Sequence, residues 1–456
     1  MAKKKHRSQS APASKDIAVK GWSNAKTIKL FKQIGIFSIA SQVLLYLFSQ
    51  FGAGYQLFSY MFLGAGRFDD LRNGIFEHRY YFSPQLLDIP GFASVASPPM
   101  VFVWQMYGYF VKSEYALWAS LVVTYLLFVF IIWKATRNVY ATIFFSTAHP
   151  VVFAFVRGNP DMWVLIATCI AGIALIRGKI WVVAVMFGLM SALKFPFLLF
   201  GLIFIMRKDF KNLALQAVVT ITAFLLPLMM KPWSIPDQIN VFNVIVARYY
   251  QGYVIGDAGM LFNVSLFGLE KPLMYLLQGN SLLTADQARD VAIAALTVQI
   301  VSVILLSVLL LAVPVYHRVK NSKASDNQLS SSSETDLYLV FFLFLALLQC
   351  LFPQIAAEYR LAQLVVIVAL LYSVRSKFLE DRLNLIILTL IFLPKHFLVI
   401  SFPAGVANIL TISSLISPVL LIVLAFRIQS YLSNNGFYSK LLTSSRILKN
   451  RPETSS

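Results

Sequence analysis

Charge is what this sequence has least of. Asp, Glu, Lys and Arg make up only 13% of its 456 residues, about half the share usual in soluble domains. Cysteine is nearly absent too: Cys169 and Cys350 are the only two, and both fall inside apolar runs, so a disulfide framework is excluded and the redox compartment is left open. The five histidines are scattered, with no HExxH pair and no CxxC, which excludes a classical zinc site. There is no Walker loop, so an ATP-driven pump would need a separate partner. No serine with a histidine partner stands out as a nucleophile.

What replaces charge is hydrophobic surface, 58% of residues, with a mean hydropathy of +0.71. Apolar stretches of about 17 to 25 residues suit helices crossing a hydrocarbon core of about 30 Å. The short alternating segments of an outer-membrane barrel are missing. The expected fold class is therefore an all-α integral membrane protein. The formal charge of +19 is concentrated in the N-terminal tail and in a few short loops between spans, as the positive-inside bias produces, which makes nucleic acid a poor partner. The basic start, "MAKKKHRSQSAPASKDIAVK", lacks a cleavage signal and reads as a cytoplasmic tail.

With the amino terminus inside, a first span over about 33–56 delivers the chain outside, where a polar loop follows over about 64–98. The apolar piece 99–112 is short for a span and is expected to lie at the outer interface. Spans at about 115–133, 138–156, 161–176 and 180–194, then a short run to 206, place "KATR", "RGK" and "RKDFK" inside and "RGNPD" and "KFP" outside. Further spans are expected at about 213–231, 291–315, 337–353, 359–374, 383–400 and 404–427. That makes about twelve spans of a multi-pass cell-membrane protein with both termini cytoplasmic. The chain divides into a cytoplasmic basic tail (1–32), a catalytic transmembrane module (33–230), an extracytoplasmic loop region (231–290), a rear transmembrane module (291–427) carrying a Ser-rich cytoplasmic linker (322–336), and a cytoplasmic tail (428–456).

This topology collects an unusual set of polar residues on the outer side: Asp69 and Asp70; Arg157, Asn159 and Asp161; Lys194; Arg248; and Tyr359 and Arg360. Taken singly, each has a structural explanation. A cation at a span end snorkels to headgroups, and "GNPD" makes a turn before a helix. Together, carboxylates beside cations at the mouth of a helical bundle suit a general base next to an anion-binding pocket, at the depth where a lipid substrate presents its phosphate.

The run "RGNPDMWVLIATCIAGIALIRGKIWVVAVMFGLMSALKFP" resembles the polyprenyl-phosphate-dependent GT-C glycosyltransferases, above all the bacterial branch that includes the polyprenyl-phosphate-mannose-dependent mannosyltransferases. The matching positions are Gly158, Asn159, Asp161, Gly188, Lys194 and Pro196. "RFDDLRNGIFEHRYY" is similar to that family's first outer loop, "SPPMVFVW" to its "YPP" segment, with serine in place of the aromatic, and "AAEYRL" to the opening of a late span in some relatives. The family's occasional rear His-Pro motif is not found.

The resemblance implies a GT-C-type front module and an inverting sugar transfer at the outer face. The donor would be a polyprenyl-phosphate sugar, with mannose favoured, and the acceptor a lipid-linked or envelope glycan. Asp70 or Asp69 would be the catalytic base. Arg157, Lys194, Arg248 and Arg360 would hold the donor phosphate, with Asn159 and Tyr359 beside them and Asp161 orienting Arg157 or Lys194. No cofactor is expected. Some relatives use a divalent metal, but two adjacent acids are a thin basis for such a site. The rival readings are a flippase for a lipid-linked sugar, which would place its ionisable residues near mid-membrane, and a non-catalytic scaffold.

The topology predicts that cysteine introduced at Lys134, Lys179 or Lys208 is shielded from impermeant reagents in intact cells, whereas cysteine at Asp70, Asp161 or Glu358 faces outward. Labelling of position 179 from outside would overturn it.

Overall fold

The computed structural model describes residues 25–50, 97–249, 334–353, 358–394, 399–401 and 409–438, with isolated positions between 71 and 85 and between 264 and 304. The described chain is helical apart from one short pair of strands, in line with the all-α expectation. Asp69, Asp70, nearly all of the expected span 291–315 and nearly all of the linker 322–336 lie outside the described residues.

Helix α1 covers Ala25–Gln50, and α2, Pro98–Phe110, follows as the short helix expected at 99–112. At 13 residues α2 is about 20 Å long and too short to span. Then come α3 (Glu114–Thr136), α4 (Val139–Ser146), α5 (His149–Arg157), α6 (Asp161–Ile176) and α7 (Ile180–Leu193). A 3-10 turn over Phe195–Gly201 leads into α8 (Leu202–Arg207), followed by α9 (Phe210–Met229) and α10 (Ile235–Tyr249). The rear part holds α11 (Glu334–Leu351), a 3-10 turn at Glu358–Leu361, α12 (Ala362–Ser373), α13 (Arg382–Phe392), strands β1 (Val399–Ser401) and β2 (Ile409–Thr411), and α14 (Ile412–Asn434).

Four described helices are long and apolar enough to cross a membrane: Glu114–Thr136, Phe210–Met229, Glu334–Leu351 and Leu415–Asn434. A fifth span is formed if the bent pair α4 and α5 is taken as one. Shorter apolar helices, among them α6, α7, α12 and α13, fill in between. The expected run 383–400 is not one span: α13 ends at Phe392, and β1 and β2 pair antiparallel, Val399 opposite Thr411, before α14 begins at Ile412. The β-branched residues there favour the extended pairing.

The other correction concerns 138–156, read from its hydropathy as one span. The chain instead breaks between Ser146 and His149, and the two halves meet at 54°. Pro150 is the cause. It has no N–H to return to the carbonyl of Ser146, and its ring crowds the preceding turn. In lipid an orphaned carbonyl must find a donor inside the protein. The Tyr125 hydroxyl of α3 donates to the Ser146 carbonyl at 3.0 Å, and the Ser38 hydroxyl of α1 donates to that of Thr147 at 3.3 Å.

Burial separates the helices into two kinds. Within the best spanning window of α11, 83% of residues are buried inside the protein, against 22% for α3 and for α9. An all-round apolar helix such as α11 belongs in the centre, while α3 and α9 present apolar faces outward. Helix α7 packs on both α6 and α9, and α12 packs on α6 and α11. Association in lipid relies on close packing rather than on escape from water. Gly188 of α7 shows this: a Cβ there would stand 2.7 Å from Val219 and 2.9 Å from the Gln216 carbonyl of α9. The rings of Phe187, Phe200 and Phe342 lock α7, the first 3-10 turn and α11 together, with centroids 4.8 to 5.2 Å apart.

Tyr125→Phe keeps the ring and removes only the donor to Ser146. It is expected to lower unfolding stability by about 1–3 kcal/mol, the cost of a buried unsatisfied carbonyl. Thermal unfolding of the purified protein in detergent checks this, and an unchanged midpoint would refute the role given to the hydroxyl.

Candidate functional site

At the end of α5 the chain must reverse within a few residues. Arg157 is the last helical residue, and Gly158 adopts φ 62°, a left-handed conformation that glycine reaches without strain. The N–H groups of Gly158 and Asn159 turn back to the carbonyls of Phe155 and Ala154, closing the helix in the manner of a glycine C-cap. The Asn159 side-chain oxygen accepts from the N–H of Asp161 at 3.0 Å, so this buried amide serves the start of α6. Asp161 is the first residue of α6, where the helix dipole favours a negative charge.

The Asp161 side chain is fully buried, and its Oδ1 accepts from Lys194 Nζ at 2.6 Å. Its Oδ2 is buried as well and has no hydrogen-bond partner among the described residues. Lys194 follows the last residue of α7 in extended backbone geometry, and its side chain is 19% exposed. The ammonium also lies 5.6 Å from the centre of the Tyr359 ring, within cation–π range. Tyr359 belongs to the 3-10 turn ahead of α12, and its ring packs against Phe153 of α5 at 5.8 Å. Phe153 in turn stacks on the fully buried His149 at 6.0 Å. Next to Tyr359, the Nε of Arg360 is buried without a hydrogen-bond partner among the described residues.

Three segments far apart in sequence therefore meet at one end of the bundle: 157–161, Lys194 and 359–360. Lys194 meets both Asp161 and the Tyr359 ring. Arg157, half-buried, and Asn159 share the turn with Asp161. Arg248 sits in the last turn of α10, whose packing partner is α9, so it stands on a separate element. The catalytic candidates Asp69 and Asp70 lie outside the described residues. Among the described residues no three His, Cys, Asp or Glu side chains gather around a common point that could hold a metal ion.

One contributor was not singled out from the sequence. Phe153, the platform under Tyr359, is one apolar residue in an apolar run; its only signal is the helical spacing of His149, Phe153 and Arg157 along one face. Apart from this cluster, Lys231, just past α9, lines a small cleft with Pro98, Phe102 and Gln105. Burial there holds its pKa below the ordinary lysine range.

The opposite end of the bundle gathers a different set. The guanidinium of Arg207 lies 4.8 Å from the Tyr338 ring centre, Tyr431 donates to Asp336 at 2.8 Å, and Arg427 pairs with Asp381 at 2.5 Å. Since α6 has 16 residues, the two ends of the bundle are about 24 Å apart.

The fold is thus that of a helical membrane protein with a buried ion pair at one end of its bundle. Residues 90–331, more than half of the chain, match the model of glycosyltransferase family 87, and the chain belongs to that family. Membership makes it a glycosyltransferase. The matched region takes in Asp161, Lys194 and Arg248; Asp69, Asp70, Tyr359 and Arg360 lie beyond it. No curated protein and no solved structure matches the chain.

Removing one partner of a buried ion pair typically costs about 3–5 kcal/mol, because the other charge is left uncompensated. Lys194→Met is therefore expected to destabilise the fold more than the double variant Asp161→Asn, Lys194→Met. A double-mutant cycle read by thermal unfolding in detergent checks the coupling, and simple additivity would contradict it.

Proposed function

We propose that this glycosyltransferase is inverting and works on a polyprenyl-phosphate sugar, with mannose as the transferred sugar and a lipid-linked or cell-envelope glycan as acceptor. The reaction takes place at the outer face of the cell membrane, in a multi-pass chain with a cytoplasmic amino terminus, an extracytoplasmic first loop and α2 at the interface. The observation that carries this reading is the convergence of Arg157, Asp161, Lys194, Tyr359 and Arg360 at one end of the bundle. Their depth suits a lipid phosphate whose tail remains in the bilayer. Membership of glycosyltransferase family 87 supports the sugar transfer itself.

In this mechanism Asp70, or its neighbour Asp69, takes the proton of the acceptor hydroxyl. The hydroxyl oxygen forms the new bond at the anomeric carbon from the face opposite the phosphate. The bond from that carbon to the phosphate oxygen breaks, and polyprenyl phosphate leaves with the electron pair. Lys194, Arg157, Arg248 and Arg360 stabilise the charge that develops on the leaving phosphate. Asp161 holds the Lys194 ammonium in place, while Asn159 shapes the turn and Tyr359 forms the aromatic wall.

The assay is transfer of radiolabelled sugar from a panel of polyprenyl-phosphate donors to a lipid extract by the purified protein. Mannose is expected to transfer best. Asn substitution at the base, with Asp70 the first candidate, is expected to lower turnover by about 10² to 10⁴, with donor binding kept and measurable activity left at the other position. Movement of a labelled lipid between leaflets without a new glycosidic bond would favour the flippase reading instead. Near-normal turnover in both Asn variants would remove these acids from the mechanism.

A further inference from the structure

At the end of the bundle remote from the Asp161–Lys194 pair, an open groove of about 620 Å³ lies between the starts of α7 and α9. Ile180 and Trp181 line it from α7, and Lys211, Asn212, Leu215 and Val218 from α9. Lys211, Leu215 and Val218 fall at helical spacing on one stripe, which descends about 10 Å along α9. The stripe begins with an ammonium and an amide and ends with branched apolar side chains. Trp181, 62% exposed, stands at the same level as the polar end, the position an indole takes at a membrane interface.

The charge around the polar end is one-sided. Arg177, Lys179, Lys208 and Lys211 are all exposed there. The one carboxylate in the groove, Asp209, is already engaged, with Oδ1 accepting from the Asn212 N–H at 3.2 Å and Oδ2 from its side-chain amide at 2.6 Å. Arg207 is turned away against the Tyr338 ring. Four cations therefore stand around the cleft against the single carboxylate of Asp209, which leaves its mouth net positive. Snorkelling alone accounts for exposed lysines, but not for a polar-to-apolar groove opening between two helices beside them.

We infer that this groove binds one anionic phospholipid, its headgroup phosphate among Lys211, Lys179 and Lys208 and an acyl chain along Leu215 and Val218. The site is separate from the sugar-transfer site and does not depend on the donor assigned to it. Basic clefts between membrane helices are where acidic headgroups are held.

The test is lipid retention by the full-length protein, purified in detergent and titrated with phosphatidylglycerol or phosphatidylcholine, with bound lipid counted by native mass spectrometry. Phosphatidylglycerol is expected to be retained in preference. Lys211→Gln is expected to lower its retention about fivefold, the worth of one lysine near an anionic surface. Val218→Trp, which fills the apolar end at an exposed position, should lower it as well. Lys112→Gln, an exposed lysine at the other end of the bundle, should leave it unchanged. Equal retention of the two lipids, unchanged retention in both groove variants, or an equal loss in Lys112→Gln would overturn the site. So would displacement of the lipid by inorganic phosphate alone, since the apolar wall would then contribute nothing.

Discussion

The ion pair between Asp161 and Lys194 is the constraint on which the polar end of this protein depends. It joins the first residue of α6 to the residue that follows α7, and through Lys194 it reaches the Tyr359 ring on a third segment. The α6–α7 hairpin thus has its basic loop at one end and this pair at the other. A fully buried carboxylate is tolerable only because its charge is matched and one oxygen carries a charge-assisted hydrogen bond. The unused oxygen and the neighbouring Arg360 Nε leave this end of the bundle with polar capacity that the described residues do not consume.

The rest of the bundle solves the opposite problem, the removal of every polar backbone group from lipid. The α4–α5 break shows how local chemistry and long-range packing combine. Pro150 frees a carbonyl, and hydroxyls from α1 and α3 take over at the break. The break also sets the direction of α5, whose face carries His149, Phe153 and Arg157 toward the Tyr359 turn. One proline in mid-span is thereby connected to the placement of an aromatic ring beside Lys194.

How much of this is legible in the sequence depends on whether the signal is local. The bounds of α6 and α7 agree within a residue with the expected 161–176 and 180–194, because "RGNPD", "RGK" and "KFP" punctuate the apolar runs sharply. The bend at His149 is hidden in hydropathy, since the polar stretch Ser146 to His149 is short and flanked by apolar residues, although Pro150 itself was a signal. The β pair was hidden for a similar reason: Val399, Ile400 and Ile409 are as apolar as a span, although their β-branching and the Pro403 and Gly405 between them were signals. At the site, the clustering of Asp161, Lys194, Tyr359 and Arg360 at one end followed from counting alternations of the chain. The contact of Phe153 with Tyr359 did not, because it depends on how two helices rotate against each other, which apolar side chains do not encode locally.

The geometry also separates the acids by role. A general base must come within about 2.6–3.2 Å of the hydroxyl it deprotonates, directly or through one water. Asp161 has no exposed side-chain surface, and its Oδ1 is committed to Lys194. An acceptor could reach that oxygen only by displacing the lysine, which would leave a buried charge without its partner. In the proposed mechanism Asp161 therefore fixes the Lys194 cation, and proton abstraction falls to the acids of the first loop, Asp70 or Asp69.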